Sequence, residues 1–223
     1  MCYQHNKDIE KQYDLISNEF DNTRNRIWGS VQTFLRINQD DKSQKRLLDI
    51  GIGNGKNTIF AQNHNYSCVG TDISSNLIDI CKKKGIIEVY KKDIMNLQIC
   101  DYGKFDCILC IAVIHHLRTI DEQKIAIKNM MNCLHKNGKI LISVWSHEIY
   151  DNTEKNYKDY RNFQIGANLV KWKSNNIDIQ IDRFYFIHNF HTFNKMFEDI
   201  QKDITFKYSI LWEKQNWFCE ISL

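Results

Sequence analysis

Proline does not occur once in these 223 residues, while Asn, Ile and Lys abound. An absence on that scale is a compositional bias rather than a fold signal. Long apolar runs are missing too. The longest is the eight residues of 107–114, far short of the ~20 a membrane-spanning helix needs, so no membrane partner is expected. The amino-terminal stretch MCYQHNKDIEKQYD lacks the basic-then-apolar pattern of a secretory signal and reads as mature protein. Charge of one sign is scarce: 30 Lys and Arg against 27 Asp and Glu leave a net +3. That balance permits an anionic substrate without requiring one. The eight cysteines have no regular spacing, which points to reduced thiols in a cytoplasmic or nuclear compartment. Cys107 and Cys110 do form C-x-x-C, but residues three apart on a strand point to opposite faces. No metal site is expected there.

What the chain does have is core-forming material. An apolar fraction of 43% with twelve Phe predicts one folded domain over 1–223. Helical spacing runs through Ile9, Tyr13, Ile16 and Phe20, then through Ile27, Val31, Phe34 and Leu35. The polar connector DNTRNR between them carries Arg24 and Arg26. Strand and helix signals then alternate. RLLDIGIG, YSCVGTDI, IEVYKKDI, FDCILCIAVI and KILISVWS read as strands, separated by helical stretches such as SSNLIDICKKKG and DEQKIAIKNMMNCLHKNG. That alternation predicts βαβ units and a parallel sheet with helices on both faces. Residues 147–180 read as a long polar loop with some helix, and TFNKMFEDI as a short amphipathic helix. The closing ITFKYSILWEKQNWFCEISL reads as two strands around a turn at Lys214–Asn216, so a carboxyl-terminal antiparallel hairpin should close the sheet. Basic residues cluster in CKKKG, in YKK, and across 154–173 at Lys155, Lys158, Arg161, Lys171 and Lys173; such clusters ordinarily form solvated faces.

The chemistry-bearing residues gather at strand ends. LLDIGIGNGKN, residues 47–57, places Gly51, Gly53 and Gly55 where the backbone must turn sharply and approach a ligand. The dinucleotide fingerprint would require a glycine at Lys56. Asp49, two residues before the first glycine, would repel a pyrophosphate but welcome a cationic amine. Asp72, at the end of the second strand, suits the two hydroxyls of a ribose. Asp93 suits an exocyclic adenine amine, with Ile94 packing on the ring. Ile73 and Ile111, beside these strand ends, complete the expected cofactor-binding set. All fall on the carboxyl edge, where open α/β sheets bind ligands.

These motifs resemble, in order, those of the class I S-adenosylmethionine-dependent methyltransferases, which have a Rossmann-like sheet. YDLISNEFDNTRNRIW, CIAVIHHLRT, LISVWSHE, RFYFIHN and WEKQNWF are similar to the eukaryotic tRNA wobble-uridine carboxymethyl methyltransferases, from about Tyr13 to Phe218 and least across 150–180. The resemblance implies S-adenosylmethionine as cofactor, a tRNA anticodon stem-loop as substrate, and a small zinc-binding activator subunit as partner in a heterodimer. It also implies a division into helices covering the active site (1–45), a cofactor-binding core (46–146) and a substrate-side loop, helix and hairpin (147–223). The chain departs from the family's usual cysteine at Ile52, its proline after Trp28 and its Pro-Gly-Gly at KNGK, residues 136–139. An amino-methylating enzyme is disfavoured, because its proline-containing tetrapeptide after strand four cannot exist here.

A carboxylate acceptor, with a pKa near ~4, is already ionised at neutral pH and needs no general base. The site should then hold an anion. Arg24 is expected to grip the acceptor carboxylate, His116 to point into the acceptor pocket, and His115 to pack beneath it against Trp145 or the activator. Arg183 in IDRFYF is a further catalytic candidate. A small-molecule methyltransferase of the quinone-biosynthesis kind, or a non-catalytic partner keeping only the fold, are the alternatives. The first would not need the Arg-x-Arg connector, the double histidine or the terminal QNWF, and the intact Asp72, Asp93 and glycine turn speak against the second.

Overall fold

A computed structural model describes residues 2–38, 43–96, 102–149, 162–173 and 180–223. Lys155, Lys158 and Arg161 of the basic stretch lie outside the described residues. Two helices, α1 (Cys2–Thr23) and α2 (Gly29–Asn38), precede the first strand. Then come β1 (Lys45–Ile50), α3 (Lys56–Gln62), β2 (Tyr66–Asp72), α4 (Ser75–Lys83), β3 (Val89–Lys91) and β4 (Phe105–Ile111). The carboxyl half continues with α5 (Ile120–Asn132), β5 (Leu134–Trp145), β6 (Gly166–Lys173), β7 (Gln180–Ile187), α6 (Phe190–Gln201), β8 (Lys207–Trp212) and β9 (Asn216–Ser222).

Seven strands form one sheet in the order β3-β2-β1-β4-β5-β9-β8. The strands from β3 through β5 run parallel, and β9 is antiparallel to both β5 and β8. This is the mostly parallel sheet with a closing antiparallel hairpin that the alternation predicts. The hairpin turns at Lys214 and Gln215, both at positive φ (46° and 57°), the paired left-handed geometry that matches strand twist.

Strand alternation sorts the core into two layers. Leu48, Ile108, Cys110 and Ile142 face Ala126, Ile127 and Met130 of α5 and Phe193, Met196 and Phe197 of α6. Leu47, Cys107, Leu109 and Leu141 face Val31, Phe34 and Leu35 of α2 and Ala61 of α3. Cys107 and Cys110 therefore lie on opposite faces, each a small buried hydrophobe. Full burial of one Phe or Met side chain on α6 is worth ~1.5–3 kcal/mol, so this short helix is held mainly by its apolar face.

Two expectations need correction. IEVYKKDI yields a strand of only Val89–Lys91, followed by a 3-10 turn at Ile94–Asn96. The expected loop over 147–180 contains β6, which pairs antiparallel with β7 as a separate two-stranded sheet. Its inward positions carry Gly166, Asn168, Val170 and Trp172, while Leu169 is 71% exposed. The apolar alternation that signals a strand is thus scrambled on β6.

Helix α1 lies across the carboxyl edge of the sheet. Asp14 accepts hydrogen bonds from Ser74 Oγ (2.6 Å) and Asn76 N (3.1 Å) at the start of α4. Gln12 Nε2 donates to Asp182 O on β7 at 3.0 Å. The result is a cavity with the sheet edge as floor and α1 and the β6–β7 hairpin as cover.

Candidate active site

The cavity is lined by the ends of β1, β2 and β4, by the segment Lys92–Ile94 after β3, and by α1 and β7. Gly51 and Gly53 sit at φ 64° and 58°, left-handed values that glycine adopts without strain. A Cβ on Gly51 would lie 2.2 Å from Val113 Cγ2, and one on Gly53 would lie 3.2 Å from Phe20 Cε1. The turn therefore needs glycine for its backbone angle and for its neighbours.

Seven of the nine expected cofactor residues line the cavity: Gly51, Gly53, Asp72, Ile73, Asp93, Ile94 and Ile111. Asp72 is fixed by the Gly53 and Ser74 amides, each donating at 2.9 Å. Burial raises its pKa to about 6, against the lowering effect of those amides. Asp93 accepts from Asn6 Nδ2 (2.6 Å) and Met95 N (2.9 Å). Asp49 and Gly55 stand behind the lining. Asp49 is fully buried, accepts from Thr58 Oγ1 at 2.8 Å, and is raised to about 7 by that burial. Gly55 faces Ile86 and Cys81 instead. Carboxylates on successive strand ends beside apolar Leu77, Ile94 and Ile111 fit a nucleoside: hydroxyls and amine to the acids, ring to the aliphatic wall.

Beyond that edge, strand β4 turns at Ala112, a non-glycine residue at φ 60°. Its amide is held by Ser143 O (3.1 Å) and Ser143 Oγ (3.0 Å). The kink delivers a 3-10 turn, Ile114–His116, to the cavity. His116 is fully engaged. Its Nδ1 lies 2.9 Å from Phe184 O, which can only accept, so the proton sits there. Its Nε2 then accepts from Tyr13 Oη at 2.9 Å. His115 Nδ1 accepts from Trp145 N at 3.1 Å, which places its proton on Nε2, an atom without a partner among the described residues. Burial drives His116 down to about 3 and His115 well below the usual imidazole range. Both rings are neutral, and neither offers a free basic nitrogen.

Arg183 comes to the same place from β7. It is 3% exposed. Its Nη1 reaches Tyr13 Oη at 3.4 Å, and its Nε has no partner among the described residues. Its guanidinium lies 4.7 Å from the Trp172 ring centroid and 5.2 Å from that of Tyr185. Arg24, just past α1, lies 5.2 Å from the same Trp172 ring. Neither arginine has a carboxylate partner among the described residues. All four expected catalytic residues, Arg24, His115, His116 and Arg183, therefore line one cavity. Sequence reading missed Tyr13, Trp172 and Tyr185 as parts of this site. The inward alternation Ile181, Arg183, Tyr185, Ile187 carries a signal, since a cation on a buried strand face asks for a reason.

The sheet order and its acid-lined carboxyl edge are those of the class I methyltransferase fold, and the chain carries a methyltransferase domain. Residues 48–142 match the family model described as a methyltransferase domain. The chain is 32% identical over 170 residues to tRNA (carboxymethyluridine(34)-5-O)-methyltransferase alkbh8 of Xenopus tropicalis, covering 73% of this chain and 26% of that protein. It is 37% identical over 146 residues to the Arabidopsis thaliana tRNA (carboxymethyluridine(34)-5-O)-methyltransferase, covering 65% and 34%. It thus spans about a quarter to a third of the length of these curated relatives. A solved DhpI–SAH complex shares the fold, with a TM-score of 0.71 at 11% identity over 99% of this chain and 98% of that one.

Proposed function

We propose that the chain transfers a methyl group from S-adenosylmethionine to the carboxylate of carboxymethyluridine at the wobble position of tRNA, forming a methyl ester. The observation that carries this reading is Arg183, a buried cation without a carboxylate partner among the described residues, beside two histidines that offer no free basic nitrogen. An unpaired buried charge is costly unless a ligand of opposite sign completes it.

The cofactor supplies an electrophilic methyl on a sulfonium centre. A carboxylate oxygen attacks that carbon, the carbon–sulfur bond breaks, and its electron pair stays on sulfur to give S-adenosylhomocysteine. No proton moves. Asp72 and Asp93 hold the nucleoside part, Arg183 orients the acceptor carboxylate, and Tyr13 with His116 fixes Arg183 in place. Positioning and exclusion of water then supply the rate. The small-molecule alternative of the quinone-biosynthesis kind is disfavoured on the same geometry where its acceptor must lose a proton, because both histidines have their basic nitrogen occupied.

The names of the relatives support a tRNA anticodon stem-loop as substrate. A small zinc-binding activator would complete a cytoplasmic heterodimer. The edge strand β3, beside an 88% exposed Ile87, is suited to receive it. Methyl incorporation into carboxymethylated stem-loop RNA, with and without such a subunit, tests the proposal. No incorporation in either case overturns it.

A further inference from the structure

We infer that His188 and Gln123, a buried pair outside the cavity lining, are positioning residues for the acceptor. They register strand β7, and with it Arg183 and the Phe184 carbonyl, against the turn that carries His115 and His116. This rests on the reading of the cavity as a carboxylate-methylating site.

Both side chains are fully buried in surroundings that are otherwise apolar. Gln123 shares the inner face of α5 with Ala126, Ile127 and Met130. The His188 ring lies 4.9 Å from that of Phe186 and 5.5 Å from that of Phe193. Polar groups in such a core destabilise it unless they are bonded, and these are bonded in one direction. Leu117 O can only accept, so the Gln123 amide nitrogen faces it, at 3.5 Å. The amide oxygen then accepts from His188 Nε2 at 2.8 Å. That leaves His188 Nδ1 to accept from Thr192 Oγ1 at 3.4 Å. The chain of bonds thus ends on Leu117, the residue that closes the turn Ile114–His116.

The backbone of His188 makes the matching link to the main sheet. Its carbonyl accepts from His147 N at 2.8 Å, and its amide donates to Trp145 O at 3.4 Å. Ser146 and His188 pair as an isolated parallel bridge, which joins the ends of β5 and β7. Trp145 serves both sides, because its own amide donates to His115 Nδ1. Arg183 and Phe184 stand earlier on the strand that His188 follows, and Phe184 O fixes the His116 tautomer. Side chains alternate along β7, so a slip of one residue would turn Arg183 away from the cavity. Two aliphatic side chains would fill the same space. What the polar pair adds is register.

The test uses the full chain with His188→Phe, Gln123→Leu, both together, and His188→Gln. Each single apolar change leaves one buried polar atom alone, so the midpoint of urea unfolding should fall. The double change leaves neither partner alone and should recover most of that midpoint. Activity should not recover with it. In both singles and in the double, kcat on carboxymethylated stem-loop RNA should drop about tenfold or more. Affinity for S-adenosylhomocysteine should stay within about twofold. His188→Gln, whose amide nitrogen can stand where Nε2 stood, should retain most of the rate. A double variant that regains both stability and kcat overturns the proposal, since the pair would then only fill the core. An equal loss of S-adenosylhomocysteine binding overturns it as well. If the unmodified chain methylates no carboxymethylated RNA, the acceptor reading fails, and the pair is judged by the ring nitrogens of His116 in NMR spectra. Loss of the settled Nδ1–H tautomer in the double variant upholds the positioning role, and an unchanged tautomer overturns it.

Discussion

Tyr13 and His116 are bonded in one direction only. The phenol must donate to Nε2, 2.9 Å away, because the other ring nitrogen is committed to the Phe184 carbonyl. The same phenol oxygen accepts from Arg183. A residue on the covering helix thus sets the tautomer of one active-site group and the position of another.

Tyr13→Phe removes that donor and leaves a buried imidazole nitrogen unpaired. Urea denaturation should show a loss of ~1–3 kcal/mol. Turnover on RNA should fall while S-adenosylhomocysteine affinity holds. Unaltered stability would mean the phenol bond carries no weight.

Arg183→Met keeps the bulk of the side chain and removes its charge. Activity on carboxymethylated RNA should drop roughly 10–100-fold, the value of one charge-assisted carboxylate contact. Thermal stability should hold or rise, because an unpaired buried cation is gone. Full activity in this variant would remove Arg183 from the acceptor site.

Stability should fall on acidification. His115, His116 and His188 are all lowered by burial, the last two to about 3. Between that value and the unfolded ~6.5 the unfolded chain binds more protons, so their contribution is lost as pH drops. Asp49 and Asp72, raised to about 7 and 6, act oppositely: the folded chain holds the extra protons, and their contribution is lost as pH rises from ~4. Three histidines outweigh two aspartates below about pH 6. His116, His188 and Arg183 face His115, and Arg183 and His5 face His116; none supplies a carboxylate that would reverse the sign. The melting temperature should be lower at pH 5 than at pH 7, and a higher value would contradict this balance.

Ala112 holds a left-handed backbone angle that only glycine takes freely. Ala112→Gly should fold normally and retain activity, whereas Ala112→Val should lose ~1–3 kcal/mol and misplace the histidine turn. Circular dichroism melts and methyl incorporation on the pair would separate strain from function.

The sheet was readable because its strands are apolar runs ending in glycine or aspartate, the pattern of parallel strands buried on both faces. Asp72 and Asp93 were readable for the same reason, as acids at strand ends. Strand β6 was not, since its inward face carries Gly166 and Asn168 while Leu169 points outward. Nor could spacing distinguish the two histidines. Their roles depend on Phe184 and on Trp145, contacts made across 68 and 30 residues. The placement of Asp49 behind the lining was equally hidden, because its hydroxyl partner Thr58 sits a full turn into the chain beyond the glycines.

The most direct test of the central claim is methyl-labelled S-adenosylmethionine offered with two anticodon stem-loops, one carrying 5-carboxymethyluridine and one plain uridine at the wobble position. The assay should include the proposed activator. Label should enter only the carboxymethylated RNA and be released by mild alkali, as an ester requires. Label that resists alkali, or enters both RNAs alike, would contradict a carboxylate acceptor.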